Sequence, residues 1–163
     1  MSIAIRPAVE SDIAELSHAM AGDVSPEQLS NRWQEHIVGY RVVLVALLDG
    51  DVAGTVSMGG HNHRRPDSLR LFALDTAPAV RRRGIGSALV NAVEREARLG
   101  SLGHVNLEVA IENSGAMELY RNLGYRRVGQ PIVDSWQRHT PGRGWELVEG
   151  PAWIMTMDVR SQG

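Results

Sequence analysis

The sequence predicts a mixed α/β domain, and three stretches carry that prediction. In the first, Leu69-Arg70-Leu71-Phe72-Ala73-Leu74 alternates apolar residues with others and ends at a turn cluster, Asp75-Thr76-Ala77-Pro78. Beyond it Ile85, Leu89, Val93 and Ala97 recur every four residues, which sets them along one face of a helix. In the second, Asp49-Gly50 separates two β-rich runs, 41–48 and 51–58, as a hairpin turn does. In the third, a β-rich run at 104–110 precedes a helical stretch at 114–123 that Gly124 ends.

The remaining elements can be placed in chain order. Residues 2–6 read as a short strand stopped by Pro7, and Ser11-Asp12 as the cap of a helix carrying Ile13, Leu16 and Met20 on one side. Ser25-Pro26-Glu27-Gln28 repeats the start signal, with proline at the first helical position and Gln28 three after Ser25. That helix runs to about Ile37 and carries Leu29 and Trp33. Gly59-Gly60-His61-Asn62-His63-Arg64-Arg65-Pro66 is a loop, Gly100 and Gly103 mark a break, and 125–128 begins another strand. Residues 130–151 hold Pro131, Pro141, Gly142, Gly144, Gly150 and Pro151 and read as a long irregular segment. A loop of that length in a compact domain is usually functional or mobile. An apolar strand at 152–159 closes the order.

At 163 residues and 43% hydrophobic, the chain suits one domain over 1–163, with no repeat or linker dividing it. A net charge of −2 offers no basic excess, so neither nucleic acid nor a membrane surface is an expected partner. The absence of cysteine excludes disulfides, thiolate nucleophiles and thiolate metal sites, and fits a reducing compartment. With no long apolar run and no charged-then-apolar leader pattern, a cytoplasmic protein is expected.

Chemistry concentrates at Arg81-Arg82-Arg83-Gly84-Ile85-Gly86, between the strand and the helix. A helix N-terminus offers free N–H groups and a positive dipole end, and glycines let a ligand approach the backbone, so the loop reads as a pyrophosphate cradle. The plain alternative is a turn with a solvated basic face. A dinucleotide fingerprint needs glycine where Leu89 stands, and a nucleotide-triphosphate loop needs a Gly-Lys-Ser/Thr ending that is absent.

Arg81, Gly84 and Gly86 resemble the Arg/Gln-x-x-Gly-x-Gly/Ala signature of the GNAT N-acetyltransferase family. A second block, Leu107-Glu108-Val109-Ala110-Ile111-Glu112-Asn113-Ser114-Gly115-Ala116-Met117-Glu118-Leu119-Tyr120-Arg121-Asn122-Leu123-Gly124-Tyr125, resembles its second signature: strand, Asn, helix, Leu-Tyr, then Leu-Gly-Phe/Tyr. The resemblance implies a mostly antiparallel central sheet with splayed middle strands and about four flanking helices. It also implies transfer of acetyl from acetyl-CoA to a primary amine. With no cysteine to carry an acyl group, direct attack in a ternary complex is favoured. The other reading of the resemblance is a non-catalytic domain that senses acyl-CoA or binds a partner.

By the same resemblance, Arg81, Arg82, Arg83, Gly84, Ile85, Gly86 and Ser87 would hold the pyrophosphate, and the backbone of Leu74, Asp75 and Thr76 the pantetheine arm. Asn113 matches a position that touches the cofactor, although asparagine there also caps a helix. Tyr120 occupies the position of the general acid that meets the departing thiolate. Its place on the Ala116, Leu119, Tyr120, Leu123 stripe faces it inward, as an ordinary core tyrosine would also face.

For the base, the strand before the loop offers Arg70 and Asp75 but no glutamate. Glu108 lies twelve positions before Tyr120, a spacing similar to that of the ribosomal-protein alanine N-acetyltransferases, where the matching glutamate is the base. A solvent-facing strand glutamate and a base made of water remain alternatives. His61, His63 and Asp67 are a candidate chelate, but a Gly-Gly-flanked loop is a poor preformed site, and no metal is expected.

The resemblance further implies that the acceptor, a small-molecule or peptide amine, would fall to residues 23–40 and 130–151. There Trp136, His139, Trp145, Glu146 and Glu149 would suit a cation. The tryptophans equally suit anchoring to the core or a homodimer contact.

Overall fold

The computed structural model describes residues 1–160. In chain order its elements are β1 (Ile3–Pro7), α1 (Ser11–Ala19), α2 (Pro26–Ile37), β2 (Arg41–Leu48), β3 (Asp51–Gly59), β4 (Ser68–Thr76), α3 (Ile85–Leu99), β5 (His104–Ala110), α4 (Ser114–Asn122), β6 (Arg126–Thr140) and β7 (Gly144–Asp158). Among the described residues the strands form one seven-stranded sheet, ordered β1-β2-β3-β4-β5-β7-β6. Every neighbouring pair is antiparallel except β4 and β5. The expected mixed α/β fold, mostly antiparallel and flanked by four helices, is the observed one. No helix of the described residues is long and apolar enough to cross a membrane.

Alternation along β2 divides the core. Leu44, Ala46 and Leu48 join the cluster built on α3, while Val43 and Val45 join a second cluster with Leu16, Met20 and Leu29 of the α1–α2 region. The α3 face is the predicted one: Ile85, Leu89, Val93 and Ala97 are each at most 1% exposed. Tyr120 and Tyr125 belong to the same cluster, and the Tyr125 hydroxyl donates to Glu94 of α3 at 2.8 Å.

Several boundaries differ from those the sequence predicts. Pro7 ends β1 inside the pairing, opposite Leu44, because an edge strand tolerates a missing N–H. The N-cap of α1 is Glu10, and Ser11 and Asp12 are already helical. Ser25 is the cap expected of it, accepting from the Gln28 N–H at 3.1 Å.

The larger difference is at 130–151, which is a long β-hairpin and not an irregular segment. Its breakers sit where a ladder tolerates them. Gly129 (φ 68°) and Pro131 fall in the bulge between Val128 and Ile132, and Pro141-Gly142 lies in the turn. Pro151 is paired with Val133, just before the run in which β7 pairs with β5.

Candidate active site

The sheet forks where β4 meets β5. The parallel ladder joins Ser68, Leu69 and Arg70 to His104, Val105 and Asn106, and stops there. Beyond it, residues 71–76 and 107–110 diverge, leaving the backbone of β4 free on its β5 side. A bulge accompanies the divergence. Thr55 pairs with Asp75 and Ser57 with Phe72, so Ala73 and Leu74 together oppose Val56, with Ala73 at φ 53°. A bulge bends its strand and re-aims the side chains beyond it. Here it keeps Leu74 against the α3 cluster and turns Asp75 to the opposite face, where Arg32 of α2 donates to it at 2.9 Å. Asp75 and Thr76, which the sequence marks as turn residues, are the end of this strand.

At the far end of β4 the chain passes through a short 3-10 turn, Pro78–Val80, and reaches α3. Gly84 is the N-cap at φ 81°, carries no side chain to cap the first turn, and has open space where a Cβ would stand. The first N–H groups of α3, from Ile85 to Ser87, therefore meet no capping side chain. Arg82 is also left-handed, at φ 65°, and Arg81 to Arg83 are exposed. Arg81 has a partner that the sequence does not suggest: it donates to Asp23 at 2.7 Å. The loop is open, positively charged and backbone-lined, features that a pyrophosphate site would need.

Tyr120 and Glu108 both come to the fork. Tyr120 is 8% exposed, its ring edge-on to Tyr125 at 5.9 Å between centroids. Burial, with Asp75 and Glu108 nearby, pushes its hydroxyl up to about 12, so it stays protonated at neutral pH. Glu108 has a side chain only 2% exposed, and Arg70 donates to its Oε1 through Nε (2.9 Å) and a terminal nitrogen (2.6 Å). Oε2 is the one buried side-chain polar atom without a partner among the described residues. Burial raises the affinity of Glu108 for a proton, and the Arg70 hydrogen bond and charge oppose that rise. The solvent-facing alternative for Glu108 therefore falls.

Asn113 caps α4, accepting from the Ala116 N–H at 3.1 Å. The loop histidines part company. His61 packs edge-on against Tyr40, while His63 Nε2 lies 2.9 Å from Asp134 Oδ1 of β6, and Asp67 instead accepts from the Gly103 N–H. His63, Glu108 and Asp134 bring ligand-type atoms within 4.8 Å of one another, but Arg70 already sets a positive charge against the shared carboxylate.

On the α2 side, Phe72 has both Arg70 and Arg41 over its ring, at 4.3 and 4.6 Å. His139 of the hairpin reaches Ser25 Oγ at 3.1 Å, whereas Trp136 and Trp145 remain 43% and 47% exposed. Contact between the hairpin and α2 thus runs through His139, and neither tryptophan is sunk in the core. Sequence reasoning misses Asp134 and Arg32 and gives Arg70 no role. Arg70 meets Glu108 through the register of β4 against β5, which pairs Arg70 with Asn106, on the same strand face as Glu108. Asp134 carries no local signal at all.

Comparison with known proteins gives a consistent result. The model of the acetyltransferase (GNAT) family matches residues 11–125. The ribosomal-protein-S18-alanine N-acetyltransferase of Escherichia coli superposes with a TM-score of 0.67 at 20% identity, covering 99% of this chain and 97% of its own. The PaiA N-acetyltransferase of Thermoplasma acidophilum, solved with coenzyme A, gives 0.65 at 19%, covering 97% and 99%. A phosphinothricin acetyltransferase of Sinorhizobium meliloti, solved with acetyl-CoA, gives 0.68 at 17%, covering 97% and 89%. At these identities the superpositions establish the fold.

Proposed function

This chain belongs to the GNAT acetyltransferase family, and we propose that it moves an acetyl group from acetyl-CoA to a primary amine by direct attack in a ternary complex. The observation that carries the reading is the fork. An uncapped α3 N-terminus, a free β4 edge, a buried tyrosine and a buried carboxylate with an unpartnered oxygen all converge on it. Acetyl-CoA, when bound, supplies the activated thioester. The backbone N–H groups from Arg82 to Ser87 would take its pyrophosphate, with Arg81 and Arg83 adding charge, and Leu74, Asp75 and Thr76 would take its pantetheine amides. Asn113 caps α4 and, by the family resemblance, would also touch the cofactor. The Asp75 carboxylate is held by Arg32, and its carbonyl oxygen lies on the β3 side, near Gly54.

Glu108 would accept the proton of the incoming ammonium on Oε2, while Arg70 fixes the carboxylate. Tyr120 would donate to the leaving sulfur. A phenol near 12 is a weaker acid than a thiol near 8.5, by about 5 kcal/mol of transfer free energy. Donation must therefore run in step with the proton that the attacking nitrogen loses. Tyr120→Phe is expected to lower kcat about 100-fold in a thiol-release assay over an amine panel, with little change in acetyl-CoA affinity. Undiminished turnover would remove Tyr120 from the chemistry. Acetyl-CoA binding with no product from any amine would favour the non-catalytic reading instead.

A further inference from the structure

The net reaction leaves one proton with no evident way out. An ammonium acceptor gives up two protons as its nitrogen bonds to the acetyl carbon and the carbon–sulfur bond breaks. One ends on the sulfur of coenzyme A, and the other must reach water. If Glu108 takes the second, it holds that proton on a side chain 2% exposed, beside an arginine that cannot relay it. Each turnover then requires a route from Oε2 to solvent.

We propose that His63, held by Asp134, carries this proton from Glu108 to water. The proposal rests on the reading of Glu108 as the base. The groups that face one another come from separate elements: Arg70 from β4, Glu108 from β5, Asp134 from β6 and His63 from the β3–β4 loop. Glu108, Asp134 and His63 place their atoms within 4.8 Å of each other, a span one bridging water covers. Oε2 of Glu108, the oxygen Arg70 does not hold, is free to pass its proton on. The His63 Nε2–Asp134 Oδ1 contact of 2.9 Å fixes the orientation of the imidazole ring. At 23% exposure the ring reaches solvent, and the imidazolium releases a proton there. The loop is built to hold this pose: His63 sits at φ 52°, and its carbonyl accepts from Asn106 Nδ2 at 3.5 Å.

The test compares His63→Ala, His63→Asn and Glu108→Gln in steady-state assays with and without added imidazole. Asparagine suits the left-handed backbone and guards against a folding defect in the alanine variant. The expected result is a fall in kcat of about 10- to 100-fold for both His63 variants with acetyl-CoA affinity unchanged. Imidazole should restore their rate in proportion to its concentration and leave Glu108→Gln inactive. His63 variants with wild-type turnover, or with a loss that imidazole does not repair, overturn the relay while an inactive Glu108→Gln keeps the base in place. A fully active Glu108→Gln removes the base, and the relay with it.

Discussion

Asp12 accepts from both terminal nitrogens of Arg6, at 2.7 and 2.9 Å, and from the Val9 N–H at 2.7 Å. Its side chain is 3% exposed, so the end of β1 and the start of α1 are joined through one buried carboxylate. The Arg6 hydrogen bond holds Asp12 below its ordinary 3.8. A depressed carboxyl contributes stability that is present above the unfolded value and lost as pH falls through the folded one. Denaturant midpoints of the wild type should therefore drop in acid below about pH 4, and Asp12→Asn should show less of that drop. At neutral pH the variant should lose about 1–2 kcal/mol, the low end for a charged hydrogen bond, because Arg6 is partly solvated. An identical acid dependence in the two proteins would assign the effect to other carboxylates. Sequence does mark Ser11-Asp12 as a helix start. It does not give the direction of the bonds, because Asp12 reaches back to Val9 and Arg6 instead of serving as the N-cap.

At the scale of elements, the spacing between β3, β4 and α3 depends on Gly54. A Cβ there would stand 3.0 Å from the Asp75 carbonyl oxygen and 3.0 Å from Ile85 Cγ2. One neighbour is backbone and the other a fully packed side chain, so neither yields easily. Gly54→Ala should destabilise by about 1–3 kcal/mol in urea unfolding. It should also weaken acetyl-CoA binding, since Asp75 and Ile85 are the strand and helix sides of the proposed site. Lost stability with unchanged affinity would separate this spacing from the ligand. The hairpin of β6 and β7 illustrates the limit of local reading. Its prolines and glycines are strand breakers by local rules, yet each lies at a bulge, a turn or a one-sided stretch of ladder.

For the molecule as a whole, the forked strands each lose a ladder partner inside the sheet, because 71–76 and 107–110 do not pair with each other. A ligand that spans β4, α3 and β5 replaces those missing contacts in the folded state alone. Acetyl-CoA at about 100 times its dissociation constant should stabilise the fold by ~2.7 kcal/mol, a rise of about 5–10 °C in Tm at this size. NAD and ATP should produce no such rise in the same thermal scan. A midpoint unmoved by acetyl-CoA would count against the fork as its binding place.

The sequence by itself determined what depends on local spacing. The α3 face, the Asp49-Gly50 hairpin, the Ser25 cap and the Gly84 turn arise from periodicity and from backbone preferences that each residue carries with it. The same spacing placed Tyr120 inward and marked the Arg81–Gly86 loop at the strand–helix junction. Only the tertiary structure decided which charges meet. Arg70 with Glu108, His63 with Asp134, and Arg32 with Asp75 are separated by 38, 71 and 43 residues. Their encounters depend on the register of β4 against β5, on one bulged residue, and on the path of a hairpin. A one-residue change in strand register turns a side chain to the other face, and no local pattern records that choice.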